Sequence, residues 1–204
     1  DQVCESIRKI KEETNIEVCF SFGLLKEEQL RKVREAGATR AHCNLETSRR
    51  YFPEICTTHT YDQKIETLKA AVAAGLSICS GGIMGLGETL EDRVDMVLTV
   101  KELGVKSVPV NFLNPIPGTP YADNKPLTDE EARQCVAVFR FIIPDASIRL
   151  AGGRGLLDDK GRECFQSGAN AAISGDMLTT AGITVQKDME MLKDLGYKPQ
   201  LWED

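Results

Sequence analysis

The sequence lacks a long apolar run. Nothing in it approaches the ~18 residues needed to cross a bilayer, and no charged-then-apolar leader opens it. It also lacks a basic stripe: the formal charge of the 204 residues is −6, which argues against a binder of nucleic-acid phosphates. Phosphate-cradling glycine loops are missing too. The stretch SGGIMGLGET (80–89) has neither a GKT/GKS ending nor G-x-G-x-x-G spacing. The seven cysteines, at 4, 19, 43, 56, 79, 135 and 164, include no CxxC or CxxxCxxC, so no single loop of this chain can hold a zinc ion or a cluster alone. Their odd count and irregular spacing, without a secretory leader, point to a reducing, cytoplasmic compartment. With 42% hydrophobic and 27% charged residues and no linker or low-complexity segment, residues 1–204 read as one globular domain.

What is present is a regular alternation. Short β-branched runs at 16–22, 39–46, 77–81, 107–113, 147–151 and 170–174 alternate with amphipathic helical patterns. Two helices carry capping boxes, Thr60 with Gln63 and Thr128 with Glu131. Tyr61, Ile65, Leu68 and Val72 follow the first on one face, and Ala132, Cys135, Val136, Phe139, Ile142 and Ile143 follow the second. Three helical segments (REAG, AVAAG, KELG) end in a glycine suited to the helix C′ position. Strand–helix alternation with short connections implies parallel strands with helices outside. The chain opens on a helix, with Val3, Ile7 and Ile10 as its stripe, and then supplies six strands. The expected fold is therefore α/β, a (β/α)8-type barrel with about six βα units and its first two strands upstream of this sequence. Such a chain by itself has open sheet edges and is expected to associate.

Polar residues recur where a doubly covered parallel strand should be apolar. Cys19, Asn44, Cys79, Asn111 and Arg149 each interrupt a different strand. Each has a packing explanation taken singly. A cysteine is a small core residue, a strand asparagine is a satisfied amide, and an arginine can pair with a carboxylate. Five on consecutive strands converge on one cavity near the strands' C-terminal ends if the sheet closes. His42, Asn44 and Glu46 alternate along HCNLE as a candidate binding strip, with Cys43 facing the helices. The glycine stretch reads as a strand end that something approaches closely, with Ile83 and Met84 as apolar surface; it reads equally as a tight turn in which Glu88 caps the next helix. Cys4 and Cys135 fall on helices, Cys56 in a connection, and Cys164 on a late helical segment. His59 reads as a residue leading into a helix rather than as a base.

Five segments (AHCNLETSRRYFPEICTTHTYDQKIETL, CSGGIMGLGETLEDR, SVPVNFLNPIPGTP, IRLAGGR and GDMLTTAG) together resemble the biotin synthase family of radical S-adenosylmethionine (SAM) enzymes. The resemblance runs in order from about Ile16 to the C-terminus. It implies a (β/α)8 barrel, dethiobiotin as substrate, and SAM cleaved by a [4Fe–4S] cluster whose CxxxCxxC ligands lie upstream of this chain. It also implies a [2Fe–2S] cluster as sulfur donor, with Cys19, Cys79 and Arg149 matching two of its three cysteines and its arginine. Asn44, Glu46, Lys64 and Ile83 match SAM-contacting positions, and His42, Asn44 and Asn111 match positions near dethiobiotin. A flavodoxin- or ferredoxin-type electron donor, homodimerisation and a cytoplasmic location are implied as well. The chain departs from the usual Asn-His-Asn-Leu-Asp at His42–Glu46, and Lys64 stands where an arginine is common, keeping the charge without the bidentate fork. By its own residues this fragment is expected not to turn over. Alternative readings are another radical SAM enzyme on the same scaffold, of hydrogenase-maturation or methylornithine-synthase type, and a metal-free barrel aldolase or isomerase.

Overall fold

The computed structural model describes residues 1–176 and 182–200. Part of the GDMLTTAG segment, residues 177–181, therefore lies outside the described residues. Helix α1 (Gln2–Glu13) precedes strand β1 (Val18–Phe20), α2 (Glu27–Glu35), β2 (Ala38–His42), the short α3 (Phe52–Ile55) and α4 (Tyr61–Ala73). Then come β3 (Ser77–Cys79), β4 (Gly82–Met84), α5 (Leu90–Glu102), β5 (Ser107–Phe112), α6 (Asp129–Ile142) and β6 (Ser147–Leu150). A 3-10 turn (Arg154–Leu156), α7 (Arg162–Gln166), β7 (Ala171–Ala172) and α8 (Val185–Asp194) complete the order. Every pairing is parallel, in the order β1-β2-β3-β5-β6-β7, with β4 beside β5. This is an open part of a barrel, as the alternation of strands and helices implied.

The expected strand at 77–81 is longer and interrupted. Cys79 pairs with Ser107 and Gly82 with Val110, the same three-residue step on both strands, so β3 and β4 are one strand with a gap. The gap faces Pro109, which has no N–H to give to the ladder. What the sequence reading took for a strand end followed by a turn is thus the second half of the strand. Met84 is buried in it at 1% exposure, and only Ile83 remains partly open.

The apolar core lies between sheet and helices. Val108, Val110, Ile148 and Leu150 point outward from their strands and are completely buried, as are Leu68, Met96, Val97, Val100, Ala132 and Val136 on the helices. Each such aliphatic side chain contributes roughly 1.5–3 kcal/mol relative to exposure. The stripe on α1 is narrower than expected, since only Ile7 is buried and Val3 and Ile10 are exposed; Val72 on α4 is exposed as well. Both expected capping boxes form, Thr60 with Gln63 and Thr128 with Glu131. A third, Thr89 with Asp92, starts α5 in place of the cap expected from Glu88.

Asp92 itself is buried and fully engaged. Burial alone raises its pKa. Hydrogen bonds from Ser48, from the backbone and hydroxyl of Thr89 and from Arg50 outweigh this and hold it at about 2. Its folded pKa lies below its unfolded one, so its contribution is present above about pH 4 and is lost as pH falls towards 2. Acid titration of the apo protein is expected to show about 2 kcal/mol of this loss, absent in Asp92→Asn, by urea unfolding at stepped pH.

Candidate functional site

The inner face of the sheet is built by strand alternation. On β5, Val108, Val110 and Phe112 face the helices, which leaves Ser107, Pro109 and Asn111 on the other side. The register aligns His42 with Cys79, Cys79 with Ser107, and Pro109 with Arg149. Cys79 is 1% exposed, yet its sulfur has polar company from three strands. His42 Nδ1 lies 3.3 Å away, the Ser107 hydroxyl 3.5 Å and Arg149 Nη1 3.9 Å, while Arg149 Nη2 donates to Ser107 Oγ. Among the described residues Arg149 thus engages a hydroxyl and a sulfur, not a carboxylate. His42 is driven below its ordinary pKa by burial first, then by Arg149 and Lys64. Its imidazole is therefore neutral at pH 7, with one N–H and one lone pair.

A buried cysteine that only packs has no need of donors around its sulfur. This sulfur, ringed by hydrogen-bonding groups in a dry interior, fits a soft metal-bound thiolate. The chain supplies only part of a ligand set. Among the described residues no group of three or more His, Cys, Asp or Glu could hold a metal ion. Cys19 is exposed and pairs with Arg40, level with Ser77 and so one pleat below Cys79. Two strands and one pleat separate the two cysteine backbones by roughly 12 Å along the sheet. The sequence placed both on one face, which the register confirms, but it could not give this offset.

Past the end of β2 the HCNLE strip leaves strand geometry, contrary to the expected run to residue 46. Asn44 Oδ1 accepts from Gly81 N–H at 3.1 Å and its Nδ2 reaches Glu46 Oε2 at 3.5 Å. Lys64 donates to the Asn44 carbonyl at 2.8 Å. Glu46 adopts φ 71°, a left-handed conformation that strains a residue with a side chain. Its backbone is held there by Gly81 O on one side and Ile83 N–H on the other. Burial pushes its carboxyl up, against the pull of Lys64 and Asn44. Asn111 clamps the segments on either side of β5, donating to Gly82 O in β4 at 3.1 Å and accepting from Gly152 N–H just past β6 at 2.9 Å.

Glu88 does not cap a helix. Its side chain is 1% exposed, accepts from Gly85 N–H at 2.8 Å and pairs with Arg93 Nε at 2.7 Å, and Arg93 reaches Cys135 Sγ at 3.2 Å. It fixes the turn after Ile83 from behind. The sequence reading missed Ser107, Arg93 and Asn124, which donates to Gly85 O at 2.9 Å. Ser107 had a signal, since it lies four residues before Asn111 on the same strand face. A cavity of about 440 Å³ lies elsewhere, beside β7 and α8, and none of the candidate residues lines it.

Two family models match this chain: the Radical SAM superfamily over residues 2–100 and the Biotin and Thiamin Synthesis associated domain over residues 109–198. Biotin synthase 2 of Corynebacterium diphtheriae is 61% identical over 195 residues, covering 96% of this chain and 59% of that protein. The chain is similar to biotin synthases over nearly its whole length. The biotin synthase of Akkermansia muciniphila is 57% identical over 201 residues, covering 98% of this chain and 63% of the relative. The chain therefore spans about three fifths of the length of these relatives. A crystal structure of methylornithine synthase superposes with a TM-score of 0.82 at 20% identity, covering 98% of this chain and 64% of that one, which bears on the fold alone. The polar face of the sheet lies within the part that matches these biotin synthases.

Proposed function

We propose that this chain forms the greater part of the barrel of a biotin synthase, which inserts sulfur into dethiobiotin. The observation that carries the reading is the Cys79 sulfur, buried on the barrel's inner face and within reach of His42, Ser107 and Arg149. In this reading Cys19, Cys79 and Arg149 hold the [2Fe–2S] cluster. Asn44, Glu46, Lys64 and Ile83 hold SAM, and His42, Asn44 and Asn111 face dethiobiotin. When bound, SAM and the [4Fe–4S] cluster supply a 5′-deoxyadenosyl radical and the [2Fe–2S] cluster supplies sulfur. The chain's own contribution is positioning and exclusion of water. Ser107 and Arg149 keep the Cys79 sulfur aimed inward. The Glu46 backbone and Glu88 set the two sides of the Gly82–Gly85 stretch, so that Ile83 presents an apolar edge to an adenine. The Lys64 ammonium suits a carboxylate, and the side-chain amides of Asn44 and Asn111 suit a ureido ring, which presents both donors and acceptors. A flavodoxin- or ferredoxin-type donor, a homodimer and a cytoplasmic setting complete the proposal. Among the described residues no helix is long and apolar enough to cross a membrane.

Anaerobic reconstitution of the full-length protein tests this. Wild type is expected to show [2Fe–2S] absorption beside that of the [4Fe–4S] cluster. Cys79→Ala and Cys19→Ala are each expected to lose the former and to lower biotin formation by at least about a hundredfold. Retention of that absorption in both variants would sink the assignment. The methylornithine-synthase-like fold keeps a different radical SAM reaction in view. Calorimetric titration with dethiobiotin separates the two, because that rival predicts no saturable binding.

A further inference from the structure

Outside the sheet's inner face, a second group of chemistry-bearing side chains stands just before α4. Cys56 ends α3, and His59 leads into Thr60, the N-cap of α4. Cys56 Sγ lies 3.4 Å from His59 Nδ1 and 3.6 Å from Thr58 Oγ1, and that hydroxyl is 3.0 Å from the same ring nitrogen. The imidazole stands edge-on to Phe52, with ring centroids 5.7 Å apart, which holds it beside the sulfur. Cys56 and His59 are both partly open to solvent, whereas Cys43, Cys79, Cys135 and Cys164 are buried. Burial works to raise the Cys56 thiol's pKa. The Thr58 hydroxyl, the backbone N–H groups of Thr58 and His59 and the nearby Lys64 charge outweigh it and bring the thiol below its ordinary value. His59 is itself lowered, by burial and then by Lys64, so it is a neutral base at pH 7. A base in contact with an accessible sulfur that is surrounded by donors is the arrangement of an activated thiol. Cys4 offers the contrast, since its sulfur faces the carbonyl of Lys32 at 3.7 Å rather than a base.

We propose that Cys56 and His59 form a thiol–disulfide exchange site for low-molecular-weight disulfides. His59 accepts the Cys56 proton, and the thiolate attacks one sulfur of the disulfide. A Cys56–S–S bond forms as the incoming S–S bond breaks, and the departing thiolate takes the proton back from the imidazolium. Cys56 is oxidised and the released half of the disulfide is reduced; excess thiol runs the exchange in reverse. The Lys64 charge acts on the Cys56 thiol, and its ammonium stands 5.9 Å from the centroid of the Phe52 ring that packs on His59. Modification therefore lands beside a candidate cofactor-binding residue, although the exchange itself does not depend on the proposed activity.

The test uses the full-length protein, glutathione disulfide as the probe, and peptide mass spectrometry to map adducts over time. The adduct at Cys56 is expected to form about tenfold faster than at Cys4, to vanish in Cys56→Ser, and to be removed by dithiothreitol. His59→Gln is expected to slow it about threefold or more with an unchanged circular dichroism spectrum. Equal rates at Cys56 and Cys4 in wild type overturn the proposal however the variants fold. A folded His59→Gln protein modified at the wild-type rate removes His59 from it.

Discussion

Gly81→Ala is expected to unfold the protein or leave it insoluble, at a cost of at least about 3 kcal/mol. A Cβ at Gly81 would stand 1.9 Å from the Pro109 carbonyl oxygen, and that oxygen belongs to a central strand that cannot retreat. The backbone at Gly81 is not left-handed, so the effect is steric and not conformational. Gly155→Ala is the matched control. No atom lies within 4 Å of its Cβ position, and alanine there is expected to be neutral or to stabilise by up to about 1 kcal/mol. Soluble yield and urea midpoints of the two full-length variants decide the matter. Equal midpoints would mean that the strand gap is more pliable than its contacts indicate.

Asp188→Ala is expected to have the second large effect. Arg154, at 2% exposure, is the largest fully buried side chain among the described residues, and Asp188 on α8 accepts from its Nη2 at 2.6 Å. The same Nη2 reaches Ile173 O at 3.3 Å, while Arg154 Nη1 and Asp188 Oδ1 have no partner among the described residues. Removing the carboxylate strands a guanidinium in a dry interior, for which about 3–5 kcal/mol is typical. In a domain of this size that lowers Tm by roughly 10 °C. The double change Arg154→Met with Asp188→Leu is expected to recover most of the loss, because it removes both charges and keeps the volume. A double variant as unstable as Asp188→Ala would show that the pair holds α8 by geometry rather than by charge balance.

These two sites mark where reading the sequence succeeds and where it stops. Local rules were legible: Thr60 with Gln63 and Thr128 with Glu131 cap their helices as written, because a capping box is complete within four residues. The inward set Cys79, Asn111 and Arg149 was legible from alternation, since strand side chains change face at every residue. Register was not. That His42 meets a sulfur depends on how β2 slides against β3, and no feature within either strand encodes the slide. The strand gap had a written cause in Pro109, but its effect falls on the neighbouring strand. Arg154 and Asp188 stand 34 residues apart, so neither helical nor strand period links them. Glu88 fits a capping role by position alone, yet the Thr89–Asp92 box caps α5 in its place.

The two clamps made by Asn111 have a consequence for selectivity. Its amide is engaged at both ends, one N–H on Gly82 O and the oxygen on Gly152 N–H, which leaves one N–H and one oxygen lone pair for a ligand. A ligand that engages this side chain adds to these backbone bonds and meets an amide whose plane they already fix, each new bond contributing about 1 kcal/mol net. Polar recognition at this wall therefore discriminates by mismatch. A ring that sets a donor against the remaining N–H, or an acceptor against the remaining lone pair, leaves that group unsatisfied, whereas one in the right order pairs both.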